Sequence, residues 1–446
     1  MLSVLLQQGF NALQRGDAAQ AAPLFEAALK IDPANFDALH LLGLARMEQG
    51  RNDEACALIE RALLRRPGEP MALCNLGIAR RATGNLEAAE KAYRQALASR
   101  PEDAVLHYNL GNALADFFRF DEAIEAFRHA QRLAPQDPSN YWNEALIHLI
   151  RGDLAAGWEG YEWGWLNGAR DQRYGSNAPL WDGSQALAGR TILVWAEQGY
   201  GDTIQFVRYL PLLAARGATV VLECQRTLGG LMAGLEGLSQ VVVRGEALPA
   251  HDFQCPLMSL PRGFGTTLEN IPAPAAYLAA DPARIARQAA SLPAAARRVG
   301  LVWSGSTSHQ DDSKRSLALQ SLLPMIERAR SGTAFICLQK DLRRSDTAAL
   351  ARLPADFFRG EAMADFADTA ALIMNLDLII SVDTAVAHLA AALGKPVWLL
   401  VPYKPDWRWL LEREDSPWYP SLRLFRQKQA GDWSEVLTRL TQALTE

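Results

Sequence analysis

An aspartate that follows a glycine where a strand turns into a helix can serve two ends. It can cap the helix, or its carboxylate can take a proton from a bound hydroxyl. Asp202 is so placed in EQGYGDTIQ, between the apolar run ILVWA and the helical pattern TIQFVRYLPLLAARG. Gln205 completes a D-x-x-Q capping box, and Gly199 and Gly201 suit both a tight turn and the close approach of a ligand. The residues by themselves leave both roles open.

Two later loops carry groups suited to phosphate. The stretch WSGSTSHQDDSKRSLAL follows the strand RVGLV and contains Gly305 and the adjacent pair Lys314 and Arg315. On a surface loop such a pair is solvated, and at the mouth of a cleft it can hold phosphate oxygens. In SVDTAVAHLAAALGKPVWLLVP, Asp383 and Thr384 close a strand and a helix begins, with His388 one turn in. Amides at that helix start, the Thr384 hydroxyl and His388 can bind a diphosphate, and capping by Asp383 with a satisfied helix histidine is the alternative. Further donor-side candidates are Gln339 and Lys340 at the end of AFICLQK and Trp407 in PDWRWLL. Trp407 and Trp409 can stack on a base or sugar, or anchor their loop in the core. The five cysteines (Cys56, Cys74, Cys224, Cys255, Cys337) are scattered with no C-x-x-C pair, so neither a metal nor a redox site is expected.

These loops must be carried by strands and helices in alternation. Short β-branched runs recur as TILVWAE, ATVVLEC, SQVVVRG, RVGLVWSG, AFICLQ, LDLIISVD, PVWLLVP and LRLFRQ, separated by helical stretches, which predicts parallel sheets covered by helices. A Gly-, Ser- and Asn-rich lead-in is expected over 166–189, a first α/β half over 190–275, a connection over 276–297 and a second half over 298–446. Ligands collect at the carboxyl ends of such strands, in the cleft between halves.

The first third obeys a different ruler. Gly9, Gly43, Gly77 and Gly111 are spaced by 34 residues, as are Ala21, Ala55, Ala89 and Ala123, and Pro33, Pro67, Pro101 and Pro135. The large slot Phe25, Ile59, Tyr93 and Phe127 keeps the same step, ahead of Ala28, Ala62, Ala96 and Ala130. This is the tetratricopeptide (TPR) pattern, predicting a superhelix over 1–165 of about four full repeats and a degenerate fifth. Asn75, Asn109 and Asn143 occupy one column of consecutive repeats, while Gln7 and Leu41 take its first two places. Such amides can hold a peptide backbone in the groove, or satisfy neighbouring helix ends.

A net charge of −5 over 446 residues gives no basic surface for nucleic acid. The start MLSVLLQQGFNALQRGD lacks a basic leader, and the most apolar segment, 385–402, is broken by His388, Gly394, Lys395 and Pro396. A cytoplasmic protein without a membrane span is expected.

Taken in order, the three loops resemble the GT-B glycosyltransferases related to bacterial ADP-heptose:LPS heptosyltransferases. Gly201, Asp202 and Pro211 match that family's G-D and following proline; Lys314 and Arg315 match its K-R pair. Asp383, Thr384, His388, Leu389 to Gly394 and Pro396 match D-T-G-P-x-H-L-A-A-A-L-G-x-P. The resemblance covers roughly residues 185–430. Joined to TPRs, it is also similar to bacterial TPR-glycosyltransferases, flagellin-modifying ones among them, and more distantly to O-GlcNAc transferase, whose asparagine ladder the Asn75 column resembles.

The resemblance implies a pair of Rossmann-type halves and inverting, metal-independent transfer from a nucleotide sugar to an acceptor hydroxyl, with no cofactor. Asp202 is then the general base, and Lys314, Arg315, Thr384 and His388 stabilise the departing phosphate. The acceptor implied is a protein or peptide held by the TPR groove. Two departures stand out: Ala385 and Val386 replace the family's glycine and proline, and the stretch 190–272 is too short for six strands. A non-catalytic TPR adaptor with a degenerate α/β scaffold is the competing reading. An unrelated nucleotide enzyme fits less well, for want of a phosphate-loop or complete dinucleotide fingerprint.

Overall fold

The structure, a computed structural model, describes residues 1–170, 176–307, 312–353, 357–358 and 363–446. It divides into two compact units, Met1–Ile147 and His148–Glu446, the break falling inside the helix Pro138–Arg151.

The first unit is all-helical. Helices pack in successive pairs: Leu2–Gln14 with Ala18–Ile31, Phe36–Glu48 with Asn52–Leu63, Pro70–Ala82 with Leu86–Ser99, and Ala104–Asp116 with Phe120–Leu133. The 34-residue ruler has a steric cause. A Cβ on Gly9 would lie 2.6 Å from the Phe25 ring, one on Gly43 2.6 Å from Ile59, and one on Gly111 2.8 Å from Phe127. Each pair therefore closes only because the large residue of the second helix fills the space the glycine leaves. Asp17, Asn35, Asn85 and Asp103 cap helix starts by accepting backbone N–H groups. The chain turns between paired helices at Gly16, Gly50 and Gly84 with φ of 73 to 79°. The fourth such turn puts Phe118 there, at φ 60°, with its ring edge-on to Phe120 at 5.7 Å.

The second unit holds two parallel sheets. The first has the order β3-β2-β1-β4, from β1 (Thr191–Trp195), β2 (Thr219–Cys224), β3 (Leu238–Val243) and β4 (Phe253–Pro256). The second has the order β6-β5-β7-β8-β9, from β5 (Arg297–Val302), β6 (Thr333–Cys337), β7 (Leu378–Val382), β8 (Val397–Val401) and β9 (Leu422–Arg426). Eight strands coincide with the β-branched runs of the sequence. The ninth, β4, has no such run: it is the four-residue FQCP, too short and too polar for a pattern, and it forms because β1 offers it an edge. The first half is short, with four strands among the described residues.

Continuous burial explains the parallel arrangement: all five residues of β7 are buried, with the second-half core of Val299, Leu301, Phe335, Leu400 and Leu440 beside them. Arg208, 3 % exposed, fastens the halves. Its guanidinium donates to Pro272 O (3.3 Å), Trp418 O (2.5 Å) and the Tyr277 hydroxyl (2.9 Å), and lies over the Tyr419 ring at 4.4 Å. First half, connection and the segment before β9 are thus tied by one buried cation whose donors are satisfied. Among the described residues no helix is long and apolar enough to cross a membrane.

Candidate active site

The carboxyl end of β1 leads into the short helix Tyr200–Phe206, and that of β7 into the helix Ala385–Ala392; the two helices pack against each other. Contact is at its closest where the first of them carries no side chain. A Cβ on Gly201 would sit 3.0 Å from His388 Cδ2 and 3.7 Å from Ala385 Cα. Gly201 therefore lets the Asp202 turn approach the His388 helix.

Asp202 is the third residue of its helix rather than the residue before it, so the expected D-x-x-Q box is not formed. Its Oδ2 accepts from the Gly199 amide at 3.0 Å, capping the helix from within, while Oδ1 accepts from Arg408 Nη2. Gln205 faces inward instead, its Oε1 accepting from Arg408 Nε at 2.5 Å. The Asp202 side chain is one-fifth exposed, so capping does not bury it fully. Burial pushes its pKa up, the Arg408 charge pulls it down, and Asp406 adds to the rise.

Arg315 reaches across from the loop after β5, its Nη1 donating to the Asp383 carbonyl at 3.0 Å. It passes over Gly305, where a Cβ would come within 2.6 Å of Arg315 Nη2, so Gly305 is small for the sake of that side chain. Lys314, one residue earlier, is exposed. Asp383 turns its carboxylate inward: Oδ2 accepts from Trp409 Nε1 at 2.9 Å and Oδ1 lies 3.7 Å from His388 Nε2. Burial raises its pKa too, with Asp406 adding and Arg408 and Arg315 opposing. Thr384 precedes its helix without capping it, its hydroxyl 3.1 Å from that of Ser381.

His388 is held as a neutral base. Its Nδ1 lies 2.8 Å from the Tyr419 hydroxyl, its ring stacks on Trp409 at 5.3 Å, and it is 4 % exposed. Burial above all, then the charges of Arg408, Arg208 and Arg315, hold its pKa well below 6.5. Its ring is accordingly not the cation of this cluster. A pH dependence of stability follows. The unfolded chain takes up a proton on this imidazole near pH 6.5 and the folded chain does not, so the stability His388 permits is whole above that pH and is lost as pH falls below it. The difference in unfolding free energy between wild type and His388→Gln is expected to shrink by about 1.4 kcal/mol per pH unit below about 6.5, measured by urea unfolding at about pH 7 and about pH 5.5. A difference constant with pH would mean that His388 is protonated in the fold.

The remaining candidates lie apart from this cluster or serve structure. Gln339 spends its amide on the loop after β5: Oε1 accepts from the Trp303 and Ser304 amides and Nε2 donates to the Ser304 carbonyl at 2.9 Å. Lys340 is exposed beside it. Trp407 is not a stacking surface at the cleft, being 7 % exposed and edge-on to Trp158 at 5.1 Å and Trp418 at 6.1 Å, with Phe206 alongside. Trp409 is fully buried.

In the first unit the asparagine column is knitted into the repeats. Asn75 Nδ2 lies 2.9 Å from His40 Nε2, Asn109 Nδ2 points to Cys74 Sγ, and Asn143 Nδ2 donates to the Tyr108 hydroxyl at 3.1 Å and Asn112 Oδ1 at 2.8 Å. Each amide reaches the residue 35 positions earlier, so its N–H groups join neighbouring repeats.

Arg408, Trp409 and Tyr419 are not marked for the site by their types. PDWRWLL draws attention to its tryptophans, and the arginine between them has no periodic partner; besides the nearby Asp406, its partners are Asp202 and Gln205, more than 200 positions earlier.

Comparison with known proteins agrees with this division. Residues 12–73 and 74–138 match tetratricopeptide repeat models, and residues 296–403 match the model of Glycosyltransferase family 9 (heptosyltransferase). The chain thus carries TPR repeats and a glycosyltransferase family 9 domain, the latter holding the Gly305, Arg315 and Asp383–His388 positions. Protein FlbA of Caulobacter vibrioides is 28% identical over 327 residues, 68% of this chain and 54% of that protein, so the chain spans about half of this relative's length. Solved structures overlap a smaller part. A MamA crystal structure is 23% identical with a TM-score of 0.33, covering 36% of this chain and 94% of its own. A thermophilic TPR protein of Thermus thermophilus is 24% identical with a TM-score of 0.32, covering 36% and 89%.

Proposed function

We propose that the second unit transfers a sugar from a nucleotide-activated donor to an acceptor hydroxyl, inverting the anomeric centre without a metal, and that the acceptor is a protein or peptide recognised through the TPR repeats. The observation that carries the reading is the approach of the two helices at Gly201, which sets a partly exposed aspartate beside the Asp383–His388 turn of the family 9 domain. In the proposed step the acceptor O–H gives its proton to Asp202 as its oxygen bonds to the anomeric carbon. The bond from that carbon to the phosphate oxygen breaks, and the pair leaves on the nucleoside diphosphate, countered by Arg315, Lys314 and the Thr384 region. Both Asp202 oxygens are hydrogen-bonded, yet each keeps a second lone pair for the incoming proton.

The adaptor reading draws its support from the four-stranded first half and from the ion pair that Asp202 already makes. A panel of nucleotide sugars separates the two. The expected result is a raised melting temperature with one donor class, and slow release of its nucleotide that accelerates with acceptor. No thermal shift and no turnover with any nucleotide sugar would leave the adaptor reading standing.

A further inference from the structure

We propose that Arg408 is the positioning residue of the Asp202 base: an arginine of the second half, held by three side chains, that orients the first half's carboxylate and sets a positive charge against it. The inference rests on the glycosyl-transfer reading. Arg408 belongs to the short turn Trp407–Trp409 after β8, and its side chain is 9% exposed. Its guanidinium uses every edge. Nη2 donates to Asp202 Oδ1, Nε to Gln205 Oε1 at 2.5 Å, and Nη1 to Asp406 Oδ1 at 2.9 Å, while its carbon lies 4.6 Å from the centre of the Trp407 ring. Asp406 also accepts the Arg408 backbone amide at 3.0 Å, so the fork is fixed at its root as well as its tips. Such a planar, multiply bonded cation cannot swing away without leaving the buried Gln205 and two partly buried carboxylates short of a donor.

The consequence for Asp202 is electrostatic as well as geometric. The groups that act on it are Arg408 and Asp406 from the turn after β8; it acts in turn on Tyr161 from the helix Leu154–Tyr161, His388 packs against the neighbouring Gly201, and Asp383 shares the Arg408 charge. Burial pushes the Asp202 pKa up and Asp406 reinforces the rise, while the positive charge of Arg408 opposes both. A protonated Asp202 could not accept the acceptor's proton, so the second half supplies the charge on which the first half's base depends.

The test is the pH profile of transfer by the full chain, with folding checked by circular dichroism. Arg408→Gln is expected to lose about 10–100-fold at about pH 7, with the deficit narrowing by about pH 9 because the acidic limb moves to higher pH. Arg408→Lys, which keeps a charge, is expected to retain the wild-type limb and lose no more than about 10-fold. Asp406→Asn keeps the Oδ1 acceptor and removes a negative charge, so its limb moves the other way, to lower pH; this variant decides the matter if Arg408→Gln does not fold. In an Asp202→Asn background, Arg408→Gln is expected to cost little more, because both changes remove the same base. An Arg408→Gln profile lowered equally at every pH, or an Asp406→Asn limb that stays put, overturns the proposal while leaving the glycosyltransferase reading intact. A wild type that transfers from no nucleotide sugar overturns both.

Discussion

Asp202→Asn is expected to lower the rate of sugar transfer by about 10²–10⁴-fold, the range that a positioned general base contributes, while leaving the thermal shift produced by the nucleotide sugar in place. The asparagine is nearly isosteric. Its side-chain oxygen can still accept from the Gly199 amide, so the helix Tyr200–Phe206 keeps its cap. What it loses is the proton acceptor and the charge opposite Arg408. Asp406 and Gln205 still hold that guanidinium, so the fold survives with a cost of roughly 1–3 kcal/mol for one compromised buried hydrogen bond. Initial rates and melting temperatures, each with and without donor, separate the two effects. An asparagine variant that transfers within about 10-fold of wild type would remove Asp202 from the mechanism.

Glu197, five residues earlier in the same EQGYGD stretch, is expected to behave in the opposite way: Glu197→Ala costs about 3–5 kcal/mol of stability and does so whether or not substrate is present. Its side chain and that of Arg170 are both fully buried, joined at 2.7 Å. The carboxylate also accepts the Leu257 amide at 3.1 Å and the Met258 amide at 3.0 Å, while Arg170 bonds Glu162 and the Ser259 hydroxyl and lies 3.8 Å over the Trp165 ring. Removing the acid leaves a buried cation short of its closest partner and two amides unpaired, a larger penalty than any single neutral hydrogen bond. Glu197→Gln, which keeps one acceptor, should fall between wild type and alanine. Urea unfolding measures both, and a loss under about 1 kcal/mol for Glu197→Ala would mean that water replaces the carboxylate.

Two acids five positions apart thus part company: Glu197 builds the lead-in to the first sheet and Asp202 faces the second half. Nothing in their local sequence separates them. Position 197 follows the apolar run of β1 and position 202 enters a helix, and either acid could have been the one turned inward.

Legibility elsewhere followed the range of the interaction. Repeats at a step of 34 were readable because each Gly–Phe or Gly–Ile pair is a local steric rule written several times over. Most of the eight strands were readable because burial on both faces demands unbroken apolar runs, the half-exposed β3 was readable from its run of valines, and β4 was not, because four residues ending in proline carry no period. The approach of the Asp202 turn to the Asp383–His388 turn was not readable from the sequence, because it joins residues far apart in the chain; Gly201 is the residue that permits it. Left open by the sequence were Trp407, whose aromatic face is consumed by Trp158, Phe206 and Trp418, and His388, whose burial among arginines holds its pKa down. The asparagine column was visible as a column, though not that its N–H groups are spent on the preceding repeat.

By itself, then, the amino-acid sequence determined the helical repeats, the alternation of strand and helix, and the set of polar residues at strand ends, since all three depend on spacing along the chain. Only the tertiary structure decided which of those residues are charged, which are consumed by packing and what faces Asp202. The ion pair with Arg408 joins residues 206 positions apart, and the directions in which the pKa values of Asp202, Asp383 and His388 shift follow from burial and from charges on other elements. Charge and desolvation act through space, so no spacing in the chain records them.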